Sequence, residues 1–124
     1  MIKSVIRIAS AACLILLFAG CSTMDGTAEY NYFEHELTSL ETESVTDVHK
    51  AVLLALEQLE MPVLDAEVDE LVSVVDTETA DGKYFDIKSE WRSETSTMIK
   101  IEVYDYEDRH KAMGLLEQIR DNLY

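Results

Sequence analysis

Apolar residues recur along this chain with two different periods. From Val48 they fall at Ala51, Val52, Ala55, Leu56 and Leu59, a spacing that only a helix gathers on one face. Ser44 followed three residues later by Asp47 resembles a capping box with Asp in place of Glu, so the pattern predicts a helix over Val45–Glu60. Met61-Pro62 ends it, because proline disfavours helical geometry in the residue before it. A second stripe, Ala112, Leu116, Ile119 and Leu123, predicts a closing helix. Asp105 is placed to cap it, with Glu107 and Asp108 near the positive end of its dipole. Gly114 costs that helix about 1 kcal/mol relative to alanine, and is read as a point of close approach to a sheet.

Elsewhere the period is two. Phe85, Ile87, Ser89 and Trp91 alternate with Tyr84, Asp86, Lys88 and Glu90, and Ile99, Ile101 and Val103 alternate with Lys100, Glu102 and Tyr104. Each pattern predicts a strand with one apolar face. Tyr30–Leu37 alternates loosely and is aromatic-rich, predicting a first strand, followed by a polar connection over Glu41–Ser44. Val63–Val68 and Leu71–Thr77 read as extended chain, as one long strand interrupted at Asp69-Glu70. Ala80-Asp81-Gly82 is a turn signal, since glycine tolerates the positive φ of many hairpins, and Arg92–Ser96 turns the chain again.

The expected order is β-α-β-β-β-α. Two amphipathic helices and an antiparallel sheet with one apolar face imply an α+β fold of two layers, both helices on the same side.

The first 21 residues are of another kind. Lys3 and Arg7 precede an uncharged, mostly apolar run of 13 residues, Ile8 to Gly20. A spanning helix needs about 20 apolar residues, and acidic chain from Asp25 ends any extension. The run fits the apolar centre of a signal peptide. Its end, Phe18-Ala19-Gly20-Cys21, resembles a bacterial lipobox, with Phe18 where Leu is commonest. The resemblance implies cleavage before Cys21 and acylation of that cysteine. Two or more acyl chains hold a protein stably at a bilayer. Ser22, where Asp would signal inner-membrane retention, resembles an outer-membrane sorting signal with the domain facing the periplasm. The expected organisation is therefore a signal peptide over 1–20, a lipidated tether over 21–28 and one domain over 29–124. The tether spans at most about 28 Å, at ~3.5 Å per residue.

Charge narrows the partners. The chain carries a formal net charge of -15, and without residues 1–20 it has 25 acids against eight bases, about -17. Such a surface repels phosphate backbones and anionic headgroups alike, so nucleic acid is not expected as a partner and membrane attachment must be hydrophobic or covalent. Cys13 leaves with the signal peptide and Cys21 is the remaining cysteine, which rules out an internal disulfide and CxxC chemistry in the mature chain.

With the lipobox, the helix VHKAVLLALEQLEMPV, the hairpin around ADGKYFDI, the strand MIKIEVY and the terminal LLEQIRDNL, the chain resembles a family of short bacterial lipoproteins of unknown function. Members have one compact α+β domain after the lipidated cysteine, and the likeness covers nearly the whole mature chain. They tend to have a glycine-containing turn before the last helix, where this chain reads Tyr104-Asp105-Tyr106. The resemblance supplies no catalytic residues.

The residues themselves offer little catalytic chemistry. Glu34 and Glu36 flank His35, but neighbours on a strand point to opposite faces. His49 and His110 lie near helix starts, no histidine pair has the i, i+4 spacing of a helical zinc site, and all three histidines are expected at the surface. Asp65, Glu67, Asp69 and Glu70 lack the glycine turn of a calcium loop and read as a solvated edge. There is no GxSxG elbow, P-loop or GxGxxG. Tyr30, Tyr32, Tyr84, Tyr104, Tyr106, Tyr124 and Trp91 are more suggestive. Tyr84 and Tyr104 fall in the polar phase of their strands, which puts them on the sheet face that the helices leave open, and exposed aromatics on a rigid face are common in recognition surfaces.

The function expected from the sequence is a non-catalytic binding or structural module of the cell envelope. It would have no cofactor and no metal, be anchored to the lipid bilayer through Cys21, and contact an envelope protein or ligand through the face bearing Tyr84 and Tyr104. The alternative is a small metal-dependent or acid/base hydrolytic factor using surface acids and His35 or His110.

Overall fold

Inward-facing residues at every second position build one antiparallel sheet of six strands in the computed structural model, which describes residues 28–31, 35–104 and 108–124. The elements run β1 (Ala28–Asn31), β2 (Glu36–Glu41), α1 (Val45–Gln58), β3 (Val63–Val68), β4 (Val72–Glu78), β5 (Tyr84–Ser93), β6 (Ser96–Val103) and α2 (Arg109–Leu123). Across the sheet the order is β1-β2-β6-β5-β4-β3.

The fold is α+β, with two layers and both helices on one face. Leu37, Val75, Phe85, Ile87, Ile99, Ile101 and Val103 from the sheet meet Val48, Val52, Ala55 and Leu56 of α1 and Ala112, Leu115, Leu116 and Ile119 of α2 in a single core. Leu115 joins the expected stripe of α2, while Leu123 is only partly buried. Truncating a side chain such as Phe85, which has no exposed surface, costs about 3–5 kcal/mol.

The order β-α-β-β-β-α holds when the hairpins β1–β2 and β3–β4 are each counted as one extended segment, as their sequence patterns suggest. The finer count is higher for a local reason in each case. Asp69 Oδ1 accepts the amides of Leu71 at 2.8 Å and Val72 at 2.9 Å, and this turns the chain back so that β3 pairs with β4. Ahead of β2, His35 adopts a positive φ of 52°, and β2 runs past the expected strand end at Leu37 to Glu41, the first residue of the expected connection. Likewise β5 continues to Ser93 and β6 begins at Ser96, so the turn between them is shorter than Arg92–Ser96.

The start and the stop of α1 have local causes. Ser44 Oγ accepts the Asp47 amide at 3.1 Å, as the capping pattern requires. At the other end Met61 N–H donates to Leu56 O at 2.8 Å and Glu60 N–H to Glu57 O at 3.1 Å, with Glu60 at φ 57°. That is a Schellman stop with glutamate at the left-handed position glycine usually takes, and Pro62 follows it. In α2 the N-cap is Asp108, whose side chain makes no capping hydrogen bond. The expected cap, Asp105, lies outside the described residues, as does Glu107. Gly114 is exposed and a Cβ there would meet nothing within 4 Å, so it does not mark an approach to the sheet. Among the described residues no helix is long and apolar enough to cross a membrane.

Candidate functional site

The sheet face away from the helices is where polar side chains of five strands come into register. Asp65 lies opposite Asp76, Asp76 opposite Asp86, Asp86 opposite Glu102 and Glu102 opposite Glu36, a row of carboxylates crossing β3, β4, β5, β6 and β2. Like charges directly opposite one another on a sheet are destabilising. Burial, and then the neighbouring carboxylates of Asp76 and Glu102, push the Asp86 carboxyl above the ordinary range. The adjoining row holds Lys88 opposite Lys100. Both ammonium groups reach Glu90, each at 3.3 Å, and Arg92 joins the same carboxylate at 3.2 Å. Burial alone would raise Glu90, but hydrogen bonds from Lys100 and Lys88 outweigh it and leave the carboxyl below its usual range. The bases are thus collected on one acid instead of being spread along the row. A depression of about 180 Å³ lies where the two rows meet, lined by Glu36, Asp86, Lys88, Lys100 and Glu102.

Tyr84 and Tyr104 close one end of this face. Their ring centroids are 5.4 Å apart at an interplanar angle of 71°, an edge-to-face pair. Tyr104 is 74% exposed, so the pair presents one open ring held in place by the other. The Tyr84 hydroxyl, hydrogen-bonded to the Asp76 carboxylate, is pushed up to about 12 and remains a neutral donor at any physiological pH. The arrangement offers an anionic surface with a shallow depression and an aromatic edge, suited to holding a cationic or hydrogen-bonding partner.

A family model for a protein of unknown function, DUF3568, matches residues 1–122. The chain belongs to the DUF3568 family. No curated protein matches it. The activity of this DUF3568 chain therefore has to be read from its own residues.

Of the site residues expected from the sequence, the fold brings Tyr84 and Tyr104 together on the open face. Cys21, Tyr32 and Tyr106 lie outside the described residues. Tyr30 packs against the core edge and has the Arg109 guanidinium 5.9 Å from its ring centroid. Trp91, read as an inward residue, is 47% exposed although its cross-strand partner Thr97 is buried. Asp65, Glu67, Asp69 and Glu70 are exposed, as a solvated edge requires.

The histidines are not gathered, and they are not all at the surface. His110 is exposed on the first turn of α2, and His35 sits in the turn before β2. His49 instead faces inward from α1, where its Nδ1 is 2.6 Å from the buried Ser73 Oγ of β4. Its helical position, one residue after Val48, already put it beside the apolar stripe, and that was the available signal. Burial pulls its imidazole below the ordinary value of 6.5. Among the described residues, no group of three or more His, Cys, Asp or Glu side chains is arranged to hold a metal ion.

One polar cluster had no sequence signature. Glu41, placed by the sequence in a polar connection, is 2% exposed at the end of β2. Its carboxylate accepts hydrogen bonds from Arg120 Nε at 2.8 Å, Ser39 Oγ at 2.5 Å and Tyr124 Oη at 2.9 Å, and Arg120 also donates to Ser39 Oγ at 2.9 Å. With every carboxylate contact satisfied and little open surface, this cluster ties the C-terminal helix to the sheet.

Proposed function

We propose that this DUF3568 protein is a lipid-anchored envelope lipoprotein that acts as a non-catalytic binding module. Its anchor would be the acyl chains on Cys21, and its contact surface the open sheet face. The anchor reading rests on one observation, the ordered run of Lys3 and Arg7, 13 uncharged residues and Phe18-Ala19-Gly20-Cys21. An acidic globule gains nothing from anionic headgroups, so acylation is the attachment this chain requires. Ser22 directs the protein to the outer membrane with the domain in the periplasm. The binding reading rests on the open Tyr104 ring braced by Tyr84 beside the carboxylate row.

The test of the anchor is Cys21→Ser in the native host. Wild type should fractionate with the membrane and show a diacylglyceryl-modified first residue by mass spectrometry, while the variant should be released or held as precursor with its domain folded. Identical fractionation, or an unmodified first residue in wild type, overturns the anchor. For the surface, a photo-crosslinker at Tyr104 should trap an envelope component that one at Lys50, on α1, does not. Equal trapping from both positions overturns the assignment of the face.

A further inference from the structure

The edge of the sheet at β3 has a character that the open face does not explain. Among the described residues β3 pairs with β4 alone, and all six of its residues are exposed. Its two phases differ sharply. Val63, Ala66 and Val68 are in register with Thr77, Val75 and Ser73, which are buried on the helix side. The helix layer nonetheless stops short of the edge, leaving Val63 45%, Val68 46% and, in the irregularity between Val63 and Asp65, Leu64 49% exposed. The other phase is Asp65 and Glu67, on the open-face side, with Asp65 directly beside Asp76. Asp65, Asp76 and Asp86 are thus three carboxylates in successive strands with no base in register between them.

We propose that the β3 edge takes up, as a seventh strand, an extended segment of another protein in which apolar side chains alternate with lysine or arginine. An edge strand supplies main-chain donors and acceptors for such addition, and alternate side chains set its specificity. The apolar phase of the incoming segment extends the layer beside Val63 and Val68 and removes their exposed surface from water. Its basic phase falls opposite Asp65 and Glu67 and continues the carboxylate row with the charge that row lacks. Asp65 Oδ1 now accepts the Ala66 amide at 3.0 Å, so docking exchanges that contact for a main-chain bond and turns the carboxylate to the partner. The same charges select against a second copy of this chain. A β3–β3 pairing sets acids against acids, a like-charge register that destabilises a sheet, between two molecules of net charge -15 each.

The test uses the full-length protein and three capped hexapeptides: alternating Val-Lys, the same six residues with the lysines contiguous, and alternating Val-Glu. Affinity is read by fluorescence anisotropy and position by amide hydrogen exchange. The alternating Val-Lys peptide should bind at least about tenfold tighter than the contiguous one, should newly protect the outward-facing amides of β3, Ala66 first among them, and should outcompete the Val-Glu peptide. Glu67→Lys should lower its affinity about tenfold, and Val68→Lys should weaken it while both variants keep the wild-type melting profile. Equal binding of the two lysine peptides, or protection confined to the open face around Asp86 and Tyr104, overturns the proposal. So does an unchanged exchange rate at the outward Ala66 amide when peptide is added, or self-association through β3 in sedimentation.

Discussion

Arg120 Nε stands 2.8 Å from Glu41 Oε1, and this buried pair joins the last turns of α2 to the end of β2 across 79 residues of sequence. The Glu41 side chain is 3% exposed and the Arg120 side chain 17%. A charge left here without its counter-ion keeps only neutral hydrogen-bond partners, Ser39 and Tyr124 for Glu41 and Ser39 for Arg120, and little water. Glu41→Ala or Arg120→Met should therefore each cost about 3–5 kcal/mol. The double variant Glu41→Leu/Arg120→Met should cost less than either single change, because it leaves no orphaned charge. Tyr124→Phe removes one hydrogen bond to Glu41 and should cost about 0.5–1.5 kcal/mol. Urea denaturation of the four variants measures all of these.

His49 gives the fold a defined acid sensitivity. Burial beside Ser73 lowers its folded-state value below 6.5, the value expected for the unfolded chain. The unfolded state then binds the proton more readily, so the stability tied to neutral His49 is complete above about pH 6.5 and declines as the pH falls below it. In His49→Gln this component should vanish. The difference in melting temperature between the two proteins should be constant from pH 7 to 8 and should shift in favour of the variant from pH 6.5 downward.

Asp86 has the opposite sign. Its carboxyl is raised by burial and by the facing carboxylates, so the ionised form costs the folded state stability at neutral pH. The folded protein takes up this proton before the unfolded chain does, and the cost disappears as the pH falls through the raised value towards 3.8. Asp86→Asn should therefore be more stable than wild type at pH 7, with the advantage gone below the ordinary aspartate value. Thermal melts at pH 7, 5 and 3 give the comparison.

Glycine is misplaced for stability at both helices. Gly114 sits in exposed α2 with open space where a Cβ would go, so Gly114→Ala should stabilise by about 0.5–1 kcal/mol. Glu60 holds the left-handed stop of α1 at φ 57°, and Glu60→Gly should stabilise by about 1 kcal/mol through relief of that conformation. The two sites share no element, so the gains should add in the double variant, as read by chemical denaturation.

The part of the candidate site legible in advance was the part set by strand phase. Tyr84 and Tyr104 stand in the polar phase of two alternating patterns, and alternation alone assigns them to the face opposite Phe85, Ile87, Ile101 and Val103. The carboxylate row was not legible. Asp65, Asp76, Asp86, Glu102 and Glu36 become neighbours only when five strands take their register, and no local pattern states which acid faces which.

By itself the sequence determined the two helices of the described residues, the apolar phase of each central strand, the turn at Asp81-Gly82 and the acidic character of the chain. Those features depend on contacts within a few residues, such as Ser44 with Asp47, or on a period of side chains along one element. Tertiary structure decided that 63–77 folds as a hairpin, that β1 and β3 form opposite edges, that His49 is inside, and that Glu41 is buried. Each depends on a partner far along the chain: Val75 for Ala66, Ser73 for His49, Arg120 for Glu41. A polar side chain is indistinguishable in sequence from a solvated one until the element that carries its partner packs against it.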